Sequence, residues 1–161
     1  MKIQSPCELL IDQIRDLYSA EELVANAMPE LAAISPNSAL SEFFTAQREL
    51  SLLQKERLAE VGGRLGKEPG GDICKAMKGL VEGGSEHIQL AEGAEVKGLI
   101  LIAHMNRIIH YQIAGYEFAN ALAIRLKFEE VETLLGISLQ EERASAKALA
   151  ALSVPVFGAV E

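Results

Sequence analysis

Glu21, Gln47, Gln112 and Glu142 are the residues whose types and spacing point most directly to chemistry. Each is a polar side chain inside an otherwise apolar stripe of helical period, so all four are expected at the middle of a helix bundle. Two carboxylates and two amides in such a place admit two chemistries. Their oxygens can hold a divalent cation, or the amides can satisfy the carboxylates through hydrogen bonds with no ion present. Helix bundles that bind two metal ions use a Glu from each of two helices and a Glu-x-x-His motif from each of the other two. The chain contains no Glu-x-x-His, because His87, His104 and His110 follow Gly84, Leu101 and Arg107 by three positions. The set reads as a metal box from which ligands have been removed. Glu21 and Glu142 remain as weak metal ligands, and Gln47 and Gln112 line the former site.

The elements that carry these residues follow from periodicity and punctuation. Leu10, Ile14, Leu17, Glu21, Val24 and Met28 alternate steps of four and three, a bundle seam. The first helix is expected to start after Pro6 and run past Met28, with a kink at Pro29 and an end before Ser35-Pro36-Asn37. Ser38 is expected to cap the second helix, whose seam reads Leu40, Phe44, Gln47, Leu50 or Ser51, Gln54, Leu58, Val61. The glycines from Gly62 to Gly71, with Pro69, end it. Asp72 then caps a short helix from Ile73 to about Val81, and Gly83, Gly84 and Gly93 frame an irregular stretch containing His87.

A long third helix spans about Glu95 to Phe128, with Ile102, Met105, Ile109, Gln112, Tyr116, Ala119 and Ala123 inward and Asn106, His110, Glu117 and Asn120 on a polar stripe. A short piece from Glu129 to Leu135, closed by Gly136, precedes a last helix opened by Ser138 with the seam Leu139, Glu142, Ala146, Leu149, Ser153; Pro155 and Gly158 mark a frayed tail. The expected fold is all-α, a ferritin-like four-helix bundle with a short connector helix between helices two and three, residues 1–161 forming one domain.

Composition bounds the function. An apolar fraction of 49%, no Trp and an abundance of Ala, Leu and Glu suit helices rather than sheets. A net charge of -8 with scattered Lys and Arg leaves no basic footprint for a phosphate backbone, so nucleic acid is not an expected partner. Cys7 and Cys74 show no metal-ligand or disulfide spacing, and Met1–Leu10 lacks a basic then apolar export signal, which together suggest a reducing cytoplasm. The apolar run Leu99–Ala103 falls well short of the roughly 18 residues a membrane span requires. Positions 99–103 and 121–124 are apolar on every side, more than one bundle covers, so a homodimer is expected.

Four strings resemble the bacterial YciE/YciF ferritin-like proteins: Leu17-Tyr18-Ser19-Ala20-Glu21, Cys74-Lys75-Ala76-Met77-Lys78-Gly79-Leu80-Val81-Glu82, His110-Tyr111-Gln112-Ile113-Ala114-Gly115-Tyr116 and Glu141-Glu142-Arg143-Ala144. The resemblance implies a ferritin-like bundle, a dimer, an association with bacterial stress responses and no established reaction. It also implies a His at the position of Gln47, a Glu at those of Leu50, Ile109 and Gln112, and an acid at that of Ala146, all neutral or apolar here. Replacing Glu by Gln keeps shape and hydrogen bonding while removing charge, so these differences predict a hydrogen-bonded polar cluster with no resident cofactor and one carboxyl holding a proton.

The expected function is therefore that of a YciF-like protein with a degenerate di-metal site, non-enzymatic or of unknown activity and related to stress responses. Two alternatives stand beside it. One is an Fe- or Mn-dependent oxidase or peroxide-handling protein with the metal at low occupancy on Glu21 and Glu142. The other is a helical partner-binding module using the surface near Cys74 and His87. His110 is expected at the surface, Cys74 in an apolar packing role, and Tyr18 and Tyr116 on or beside the seams with bonded hydroxyls.

Overall fold

The computed structural model describes residues 2–157, which form five helices: α1 (Pro6–Ile34), α2 (Ser38–Arg64), α3 (Lys75–Gln89), α4 (Ala94–Leu126) and α5 (Glu129–Phe157). α1 packs along α2 and α4 along α5, with α1 also against α4 and α2 against α5; α3 lies across α1 and α4. The result is a four-helix bundle whose long crossover carries the fifth helix. No helix among the described residues is long and apolar enough to cross a membrane.

Local chemistry explains the starts. Ser5 caps α1, its Oγ accepting the Glu8 backbone N–H at 3.2 Å, with Pro6 in the first turn where its missing donor costs nothing. Pro29 lies inside α1 on the exposed side, and the helix continues to Ile34. The cap of α2 is Asn37, not Ser38: its Oδ1 accepts the Leu40 N–H at 2.9 Å, and Ser38 is already helical. Of the two alternatives on the α2 seam, Ser51 is buried and Leu50 is not.

Three glycine readings change. α2 runs through Gly62 and Gly63, and the chain then folds back so that Lys67 donates its N–H to the Gly62 carbonyl at 2.9 Å. α3 is capped by Cys74, whose Sγ accepts the Met77 N–H, while Asp72 is exposed; the helix continues through Gly83 and Gly84 to Gln89, so His87 is helical. Gly84 is a contact rather than a break, because a Cβ there would stand 3.1 Å from the His104 ring. α5 is continuous through Gly136, and Ser138 lies buried in mid-helix instead of at a start. It also continues past Pro155, while Gly158 lies outside the described residues.

All seven residues of the predicted inward stripe of α4 are buried. Much of the all-round apolar character at positions 99–103 is covered within the chain, with Leu101 and Ile102 buried and Leu99 and Ile100 half-buried. The core divides into two apolar clusters, one around Val24, Met28, Phe44, Met105 and Ile109 and the other around Leu10, Ile14, Leu58, Ala119 and Leu135. On all four bundle helices the boundary between them is polar: Glu21, Gln47 to Gln54, Gln112, and Glu142 with Ser145.

Two adjacent glycines test the fold-back at the end of α2. A Cβ on Gly62 would stand 2.6 Å from the Lys67 carbonyl oxygen, whereas one on Gly63 meets nothing within 4 Å. Gly62→Ala is expected to cost about 1–3 kcal/mol, because backbone must move. Gly63→Ala is expected to stabilise by about 0.5–1 kcal/mol, because only the entropic penalty of a helical glycine is removed. Urea denaturation of both variants checks the opposite signs.

Candidate functional site

Glu21 is fully buried on α1. Gln112 of α4 donates its Nε2–H to Oε2 at 2.7 Å, and Tyr116, one turn further along α4, donates its hydroxyl to Oε1 at 2.8 Å. Both carboxylate oxygens are therefore occupied by donors from one neighbouring helix. Glu142 of α5 is buried too, but its Oε2 has no hydrogen-bond partner. Gln54 of α2 shares this condition on one side: its Oε1 is unpartnered while its Nε2 reaches the Ser138 carbonyl at 3.5 Å and Glu141 Oε2 at 3.2 Å. Glu141 is held at the edge by Arg57, which bonds both of its oxygens at 2.7 and 3.1 Å and donates to the Ser138 hydroxyl at 2.7 Å.

Electrostatics follow from this burial. Loss of hydration raises the Glu21 carboxyl from its ordinary 4.5 to about 7, against the hydrogen bonds of Tyr116, Ser51 and Gln112 and with some help from the Glu141 charge. Glu142 is raised well above its ordinary value, first by burial, then by the Glu21 charge, with Gln54 opposing. Burial and the charge of Glu21 likewise hold the Tyr116 hydroxyl well above its ordinary range, so it stays a donor. A proton on Glu142 would convert one of two unpartnered acceptors into a donor.

The structure brings Glu21 and Gln112 into direct contact as predicted. Gln47 is buried on the same layer, yet its amide donates to the Ser145 hydroxyl at 2.9 Å. The α2 amide that faces the α5 acids is Gln54, seven residues further on. The sequence reading missed Ser145, which sits three residues after Glu142 and signals itself only by that spacing, and the Arg57–Glu141 pair, which looks like ordinary helix surface. Tyr116 was placed on the seam but not at the carboxylate. Tyr18 lies beside its seam under the Lys55 ammonium, 4.9 Å from the ring centre.

A pair of metal ions does not fit this donor set. No imidazole lies in the polar layer, one carboxylate already carries two donors, and the described residues contain no group of three or more His, Cys, Asp or Glu side chains placed to hold a metal.

Elsewhere, Cys74 is buried with its Sγ 3.1 Å from the Tyr111 hydroxyl, which donates to Asp16 at 2.7 Å; burial first of all pushes the thiol up and keeps it protonated. The surface expected near Cys74 therefore belongs to its neighbours. His110 is exposed, as expected. His87 and His104, unrelated in sequence, meet across α3 and α4.

A substitution that removes only charge reads the state of the carboxyls. The Glu21 carboxyl ionises near 4.5 when unfolded and near 7 when folded, so between these values the folded chain binds more protons. Its contribution is full below pH 4.5 and is lost as pH rises to about 7. Glu21→Gln is therefore expected to gain stability relative to wild type by up to about 3 kcal/mol between pH 4.5 and pH 8. Denaturation of both proteins at each pH measures this, and a difference independent of pH would contradict the raised affinity for a proton.

Residues 5–157 match the family described as "Domain of unknown function (DUF892)". Protein YciF of Escherichia coli (strain K12) is 34% identical over 149 residues, covering 90% of this chain and 88% of that protein. The crystal structure of the E. coli stress protein YciF superposes with a TM-score of 0.92 at 31% identity, over 98% of this chain and 100% of that one. A structure of ferritin-like, diiron-carboxylate proteins from Bacillus anthracis str. Ames gives a TM-score of 0.72 at 17% identity, over 93% of this chain and 99% of that one, a likeness of fold alone.

Proposed function

The chain belongs to the DUF892 family and shares the ferritin-like fold of YciF, and from that premise we propose that it is a non-enzymatic member whose former di-metal centre now stores a proton between two buried carboxyls. The observation that carries this reading is the donor set at Glu21: both oxygens accept from Gln112 and Tyr116, so Glu21 bridges no pair of ions while those bonds stand, and Glu142 is the one other carboxyl buried in this layer. Neutral protonation relieves what a dication would otherwise compensate. The stress association of the E. coli relative, a cytoplasmic location and the lack of a nucleic-acid partner belong to the same proposal; the free thiols of Cys7 and Cys74 and the net charge of -8 support the last two.

Metal analysis tests it. Protein purified without chelators or affinity tags after growth in iron- and manganese-supplemented medium is expected to carry far less than one iron or manganese per chain, and Fe2+ or Mn2+ is expected to leave its melting temperature unchanged. Stoichiometric iron or manganese lost on Glu21→Gln would overturn the reading.

A homodimer is part of the proposal, on a surface that shares only Ile124 with the positions the sequence suggested. Phe118 and Ile124 on α4 and Ile137 on α5 are 48%, 52% and 44% exposed, more than large apolar side chains in a bundle usually are. Light scattering is expected to give a dimer mass for wild type and a monomer mass for Phe118→Ser; a monomeric wild type at tens of micromolar would remove the dimer.

A further inference from the structure

His87 and His104 sit 17 residues apart on helices joined by the short Leu90–Gly93 turn, and the structure places the Nδ1 of His87 3.1 Å from the Nε2 of His104 with the rings nearly perpendicular, at 87°. His87 is exposed in the last turn of α3, whereas His104 is buried on α4. Gly84, one turn before His87, lets the His104 ring lie against α3, since a Cβ there would stand 3.1 Å from both Cγ and Nδ1. His104 also lines a cavity of about 270 Å³ between α1, α3 and α4. Its ionisable rim is Glu30, Glu82 and Lys78, net negative, while Arg107 brings positive charge near His104.

We propose that His87 and His104 form a site for one borderline transition-metal dication, Zn2+ or Ni2+, that ties the end of α3 to α4, its remaining positions held by water. Metal–imidazole bonds of about 2.0–2.1 Å spanning a 3.1 Å nitrogen separation give an angle of roughly 100° at the metal, between square and tetrahedral values. The two nitrogens now share one hydrogen bond. Metal entry moves that proton to another ring nitrogen or to solvent and turns the exposed His87 ring until both lone pairs converge, a movement that leaves the buried ring in place. Two imidazoles without a carboxylate select Zn2+ or Ni2+ over Mg2+ or Ca2+. The site is independent of the central carboxyls.

Calorimetric titration of the untagged full chain with ZnCl2 and with NiCl2 at pH 7.5 tests the site, using His87→Ala because His87 is exposed and its loss leaves the fold intact. One ion per chain is expected, with affinity weakened more than about tenfold in His87→Ala and unchanged in His110→Ala and in Glu21→Gln. Metal is also expected to raise the melting temperature of wild type and not of His87→Ala, with no response to MgCl2. Equal binding by His87→Ala, or no binding by wild type up to about 1 mM metal, overturns the proposal. Loss of binding in Glu21→Gln alone would instead place the ion at the bundle centre and overturn the reading of that centre.

Discussion

The hydrogen bonds that Gln112 and Tyr116 donate to Glu21 hold the centre of this bundle, and the rest of the core is arranged around them. A carboxyl placed between two apolar clusters is tolerated only if its oxygens are satisfied and its charge is reduced. Here one neighbouring helix supplies both donors, and burial raises the affinity for a proton to about neutrality. On the far side, Glu142 is buried with its Oε2 unpartnered, and the negative charge of Glu21 adds to the cost of burial, so its affinity for a proton is raised as well. The two carboxyls thus differ in their surroundings: Glu21 is an acceptor for α4, and Glu142 keeps one oxygen without a donor.

The outer shell follows from the same economy of charge. Glu141, next to Glu142, cannot join the buried layer, and Arg57 captures it at the edge through two hydrogen bonds. That pair lies where water thins out but is not excluded, so it orders α2 against α5 while contributing modestly to stability. Ser138 and Ser145 fill the positions on α5 where a larger polar group would bring further charge, taking bonds from Arg57 and Gln47 respectively. Hydroxyls suit this layer because they donate or accept as the neighbours require.

The all-α fold and the four polar seam positions were legible from period, because a seam stepping by four and three identifies a buried face whatever its neighbours do, and the bundle arrangement followed from the order and lengths of the helices. The family resemblance agreed with that reading and is shown by the comparisons. What period cannot show is the use of a glycine. Gly84 and Gly136 read as stops, yet Gly84 admits the His104 ring and Gly136 costs only helix entropy in a helix held by packing on both sides. Caps moved by one or two positions, from Ser38 to Asn37 and from Asp72 to Cys74, since several neighbouring residues can accept the same orphan N–H and tertiary contacts choose among them. For Cys74 the chooser is Ser19, which accepts its backbone N–H at 2.9 Å. Gln47 and Gln54 both lie on the α2 seam, two turns apart on one face, and only the relative height of α2 and α5 decides that Gln47 meets Ser145 and Gln54 meets Glu141. Contacts between helices, such as His87 with His104, leave no trace in either local pattern.

That relative height is itself a product of the polar layer. Apolar ridges set the register through shape alone, and a slide by one turn replaces each apolar contact with another apolar contact. A fully buried carboxylate does not slide: moving α4 by one turn would put Gln112 and Tyr116 out of register, carrying one of them away from Glu21 and setting Ile109 or Ala119 against the oxygen it leaves. The penalty for one buried acceptor left without donors, about 1–3 kcal/mol or more when charged, exceeds what any single apolar contact in the new register returns. The polarity of this centre therefore has a structural consequence: it fixes the register of the four helices, which a wholly apolar layer would not.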